Sequence, residues 1–167
     1  WWKPTGFQAL TNRQHLWMYA LSVLPVLSNL LFGIQARGLT NILTYLVLAA
    51  SIGFVEEVAF RGLILRALAP RGMWRAAVIS AVLFGLVHSM NALAGSVPLD
   101  VILQIGYTLA IGFCWAAIAL RTRVIWPLVV IHALIDFASF LANDGFNKSG
   151  TATFDLVEAE AGAYRRW

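Results

Sequence analysis

Five stretches of this chain are almost wholly apolar: residues 16–34, 40–60, 75–94, 99–120 and 124–142. Each is about 20 residues, or about 30 Å as a helix, which matches the hydrocarbon core of a bilayer. Short connectors with breakers or charges separate them: QARGLT, RALAPRGMWR, AGSVPLD and RTR. A spanning segment must satisfy its own backbone polar groups, and a helix does so. The pattern therefore predicts an all-α, polytopic membrane helix bundle with about five transmembrane helices. Residues 1–142 read as one transmembrane domain. From Asn143 the apolar pattern stops, and Gly, Ser, Thr and mixed charge predict a polar C-terminal tail over 143–167. The first residue is Trp1 rather than Met, which fits a segment of a longer protein with further helices upstream.

Composition strengthens this reading. The chain is 60% hydrophobic and 12% charged, against about 45–50% and about 25% in soluble domains. Its net charge of +4 does not point to nucleic acid, because the basic residues sit in short loops between apolar runs and so read as topology signals. With the N-terminus on one side, that side holds eight of the twelve Lys and Arg residues, among them Arg66, Arg71, Arg75, Arg121 and Arg123. The excess of positive charge predicts that this side is cytoplasmic, in a bacterial cell membrane. Trp17, Trp74 and Trp126 begin three spans on that side and Trp115 is near the same end of a fourth, the pattern of an interfacial aromatic belt. The single cysteine, Cys114, is expected to be a small buried hydrophobe; alone it supports neither a disulfide within the chain nor a cysteine-based metal site.

Against this background the ionisable residues inside the spans stand out. They are Glu56, Glu57 and Arg61 in the second span, His88 in the third, and His132 and Asp136 in the fifth. Each is costly near the bilayer centre, and such residues face a cavity or one another. Measured from the arginine at the end of its own helix, Glu56 and Glu57 lie roughly 14–15 Å deep, His88 roughly 20 Å, and His132 and Asp136 roughly 14 and 20 Å. Similar depths on three helices predict one polar site, opening towards the cytoplasmic half. Glu57 and Arg61 are four residues apart and can pair along one face. Glu56, rotated about 100° around the helix, lacks that partner and is turned towards His88. His132 and Asp136 are also four apart, so the carboxylate can hold one imidazole nitrogen. Phe84, one turn before His88, can form an apolar wall beside it.

Two chemistries suit such a set. In the first, Glu56 is a general base for water, His88 shares the water proton, and His132 donates to an oxyanion. In the second, Glu56, His88 and His132 hold Zn²⁺ with a position left for water. The local H-E-x-x-H pairing that would favour metal is absent.

The order EEVAFR, then FGLVH, then HALID resembles the CPBP family, the CAAX-protease and bacteriocin-processing (Abi) intramembrane proteases, over about residues 40–142. The resemblance implies a membrane helix bundle with its site in a cavity within the membrane. It implies that Glu56 and His88 activate the hydrolytic water, that His132 and Asp136 form the oxyanion site, and that Glu57 and Arg61 support the first motif. The family carries both a metalloprotease label and glutamate-dependent members without a catalytic metal. Five spans are fewer than in the eukaryotic CAAX enzymes. The expected partners are membrane lipid and a membrane-associated peptide or protein substrate. The alternative is a non-catalytic scaffold or accessory subunit in a larger membrane complex, since some family members serve as scaffolds.

Overall fold

The computed structural model describes residues 5–10, 13–35, 38–93 and 95–143. Among these, all regular structure is helical. A 3-10 run, Arg13–Val23, continues into α1, Leu24–Leu31. Then come α2 (Leu39–Arg71), α3 (Met73–Leu93), α4 (Pro98–Thr122) and α5 (Trp126–Asn143). The last four are long and apolar enough to cross a membrane, so the protein is an integral-membrane helix bundle. The first expected span is the shorter apolar helix Leu16–Leu31. The α-helical part begins beside Pro25, whose missing N–H is tolerated in the first turn of α1. The tail expected after Asn143 lies outside the described residues.

The turns are local consequences of sequence. Gly72 takes φ 125° between α2 and α3, a conformation open to glycine. Arg123 caps α4 in the left-handed region, its N–H donating to the Ala119 carbonyl at 2.9 Å. Pro98 opens α4, where its missing N–H costs nothing. Arg71, Arg75, Arg121 and Arg123 thus gather at one end. The segment 5–10 packs there too: the Ile125 N–H donates to the Gly6 carbonyl at 3.1 Å, and Gln8 Nε2 donates to the Arg123 carbonyl at 3.0 Å.

Two seams hold the bundle. α2 runs along α5, and α3 along α4, while α1 leans on α5. Each seam depends on a residue without a side chain. A Cβ on Gly53 would sit 2.8 Å from the Ala133 nitrogen, and one on Gly85 would sit 3.1 Å from Leu109 Cβ. Without a hydrophobic drive between helices in lipid, such close backbone approach and the dispersion contacts it allows supply much of the association. Leu65, Ile125 and Leu128 are buried between helices, whereas Leu43, Val47, Val55 and Leu103 face outwards, as lipid-facing positions do. Cys114 is exposed on this outer face, not buried as its apolar surroundings suggested. Trp17, Trp74 and Trp126 are exposed, but Trp115 is only 1% exposed. Trp115 belongs to the core and not to an interfacial belt.

Candidate active site

The motif of α2 straddles a change in helix type. Leu39–Glu57 is α-helical, and Val58–Ile64 is π-helical. Arg61 therefore sits inside a widened turn, a feature often found at functional sites. The Ser80 hydroxyl of α3 donates to the Phe60 carbonyl in that turn at 2.9 Å.

Glu57 and Arg61 are both fully buried, and Arg61 Nη1 donates to Glu57 Oε1 at 2.7 Å. Burial of two charges costs several kcal/mol per ion unless geometry and further contacts offset it. The further contacts are present. The guanidinium lies 4.1 Å from the Phe84 ring centroid and 5.4 Å from that of Trp115, and cation–π attraction strengthens when the partners are desolvated. Arg61 Nη2 also approaches the Gly112 carbonyl at 3.4 Å. A Cβ on Gly112 would lie 2.8 Å from Phe84 Cδ1 and 3.4 Å from Arg61 Nη2, so the absence of a side chain there admits the cation and its ring.

The same Glu57 oxygen reaches His132. His132 Nδ1 is 3.1 Å from Glu57 Oε1. An ionised carboxylate only accepts, so Nδ1 carries the proton and donates. This differs from the expected arrangement, in which Asp136 held the ring. Asp136 Oδ2 lies 3.7 Å from the other nitrogen, Nε2, and Glu56 Oε2 lies 3.8 Å from that same atom. Both distances exceed a direct hydrogen bond and suit one bridging water. Both oxygens are enclosed and have no hydrogen-bond partner among the described residues, and a buried polar atom needs one. Glu56 therefore approaches His132, a neighbour that its place in the sequence did not announce.

His88 is fixed separately. Its Nδ1 is 2.8 Å from the Phe84 carbonyl, which can only accept, so Nδ1 donates and a neutral ring keeps its lone pair on Nε2. Phe84 meets His88 edge-to-face at 5.1 Å and His132 at 5.9 Å between ring centroids. It is thus the wall foreseen beside His88, and also the contact between both histidines and Arg61. Trp115 touches His132 from another side at 5.3 Å, while its Nε1 donates to Ser22 Oγ at 2.9 Å. Reading the sequence by depth missed Trp115. The signal was available: Thr108, Gly112, Trp115 and Ala119 follow helical spacing, with small or polar residues marking an inward face.

A cavity of about 500 Å³ opens onto these groups, and His88, His132, Asp136, Phe84 and Trp115 line it together with residues of α1 and α4. Glu56 is not part of the lining. The walls come from the middle of the bundle and from the half away from the arginines. The opening expected at the arginine-bearing end is not where the walls lie, because the segment 5–10 and Ile125 pack at that end. Among the described residues, no three of His, Cys, Asp and Glu are grouped to hold one metal ion.

A family model described as type II CAAX prenyl endopeptidase Rce1-like matches residues 38–138, more than half of the chain. No curated protein and no solved structure matches it.

Proposed function

We infer an activity from one premise: the chain belongs to the Rce1-like family of type II CAAX prenyl endopeptidases. That family is one of CAAX-type intramembrane proteases. The finer reading is that this chain is an endopeptidase that hydrolyses a bond in a membrane-associated peptide, with water activated by Glu56 and histidine.

One observation carries it: two carboxylate oxygens without a hydrogen-bond partner among the described residues, from Glu56 and Asp136, flank His132 Nε2 at water-bridging distance. Glu56 Oε2 takes the proton of a water held there, and the oxygen of that water attacks the peptide carbonyl; as the tetrahedral intermediate collapses the C–N bond breaks, and Glu56 returns the proton to the leaving amine. The lone pair of His88 Nε2 accepts the other water hydrogen and orients it. A protonated His132 donates from both nitrogens, to Glu57 from Nδ1 and to the developing oxyanion from Nε2. Asp136 steadies that imidazolium from the cavity side. Glu57 and Arg61 touch no substrate; they hold the His132 ring in one orientation. No step is routed through a metal.

The test is cleavage by the purified chain of a panel of membrane peptides, including a prenylated CAAX-type peptide. Glu56→Gln should lower the rate by about 10²- to 10⁴-fold, the range for a lost general base. Equal cleavage by both proteins rejects Glu56 as the general base. If neither cleaves and both co-purify with the same large complex, the scaffold reading takes its place. A chelator arm bears on cofactors: the metal-free reading expects unchanged rates, and loss restored by Zn²⁺ would overturn it.

A further inference from the structure

The wall facing the histidines carries a polar pair that the reaction above does not use. Gln104 of α4 lines the cavity. Asn91, in the short helical turn after His88, donates from Nδ2 to Gln104 Oε1 at 2.8 Å. Asn91 is not part of the lining. A primary amide has one acceptor oxygen and two N–H donors. With its oxygen held from behind by Asn91, the part of Gln104 left uncommitted is the Nε2 donor.

The Ser28 and Tyr107 hydroxyls line the cavity as well, but two of the polar neighbours of Gln104 are committed elsewhere. The Thr108 hydroxyl, one turn on, donates to the Gln104 carbonyl at 2.7 Å, and Asn29 Nδ2 donates to the Pro25 carbonyl at 2.9 Å. Among the described residues, no Lys or Arg lines the cavity. A peptide bond can be attacked only where the chain is unwound, and unwinding strips its carbonyls of their helical partners. Inside an apolar enclosure those carbonyls require a donor.

We propose that Gln104, oriented by Asn91, binds a main-chain carbonyl of the unwound peptide and so sets which bond lies beside His88 and His132. Asn91 is a positioning residue that acts through Gln104. The ligand class, a peptide, rests on the hydrolase reading, but binding can be read without turnover.

The variants separate donor loss from damage to the fold. Gln104→Glu keeps an oxygen for Asn91 and replaces only the uncommitted donor. Asn91→Asp leaves Gln104 intact but reverses the pair: aspartate accepts only, so Gln104 turns its Nε2 towards it and its oxygen towards the cavity. Gln104→Leu removes both groups. Full-length chain carrying Glu56→Gln, in lipid nanodiscs, is titrated with two fluorophore-labelled probes, a prenylated CAAX-type peptide and an unprenylated apolar spanning peptide. All three substitutions should weaken binding roughly three- to tenfold, the worth of one hydrogen bond. With Glu56 restored, KM should rise by that factor with kcat little changed, and Gln104→Glu should leave the melting temperature where it was. Unchanged affinity in Gln104→Glu and Asn91→Asp overturns the proposal. So does a fall in kcat and melting temperature at constant KM, the mark of a structural role, and so does failure of the parent to bind either probe. Failure of the hydrolase reading looks different: the chain with Glu56 intact then cleaves neither probe, while the affinity losses at Gln104 and Asn91 persist.

Discussion

Glu57 takes two donors on one oxygen, Arg61 Nη1 at 2.7 Å and His132 Nδ1 at 3.1 Å. The first contact was legible in the sequence because four residues on a helix make one turn. The second was not, since His132 is 75 positions away and only packing of α2 on α5 brings the two together. For the same reason Asp136, the local candidate for holding His132, is displaced from that role. A residue-scale prediction follows from this division. Glu57→Gln removes one member of a fully buried ion pair and should cost about 3–5 kcal/mol of stability, read as a lower melting temperature in detergent. Adding Arg61→Met removes the orphaned charge and should recover most of that stability. Peptide cleavage should remain low in the double variant, because His132 Nδ1 still lacks its carboxylate. Recovery of activity along with stability would show that Glu57 serves the fold alone.

At the scale of elements, the spans follow from apolar length, yet their details come from contacts between helices. EEVAFRG contains no breaker before Gly62, and nothing in it announces a π-helical turn. That turn goes with an outside partner, the Ser80 hydroxyl on the Phe60 carbonyl, and with a guanidinium enclosed between Phe84 and Trp115. The seam between α2 and α5 gives the next prediction. Gly53→Val would drive a side chain into the backbone at Ala133 and Val129, whose nearest atoms lie 2.8 and 3.0 Å from the added Cβ. Overpacking of this kind costs about 1–3 kcal/mol. It should also separate Glu56 and Glu57 from His132, so cleavage should fall further than stability. Gly106→Ala is the matched control. A Cβ there meets nothing within 4 Å, and the helix propensity of Ala should leave stability unchanged or raise it by up to about 1 kcal/mol. Equal losses in both variants, measured by thermal unfolding, would refute the role given to the Gly53 contact.

For the whole molecule, the arginine-bearing turns at Arg71 and Arg121 share one end, and the connection at Ser96 lies at the other. In a Cys114→Ser background, Ser96→Cys should react with a membrane-impermeant maleimide in intact cells, whereas Arg121→Cys should react only after lysis, if positive charge sets the orientation. The reverse labelling would invert the topology without altering the fold. The amino-acid sequence alone determined that this chain is a helical membrane protein, where α3 to α5 run and where α2 begins, though not that α2 continues past residue 60 to Arg71, and it singled out Glu56, Glu57, Arg61, Phe84, His88, His132 and Asp136 as the set worth joining. It could do so because apolar length is a property of continuous sequence and because ionisable groups in such lengths are too costly to be incidental. Tertiary structure alone decided which carboxylate holds which nitrogen of His132, that Trp115 is core and Cys114 faces outwards, and that the cavity walls lie away from the arginines. These depend on the rotation and depth of one helix against another. Those quantities are set by close contacts such as Gly53 on Ala133 and Gly112 on Phe84, between residues that no local pattern connects.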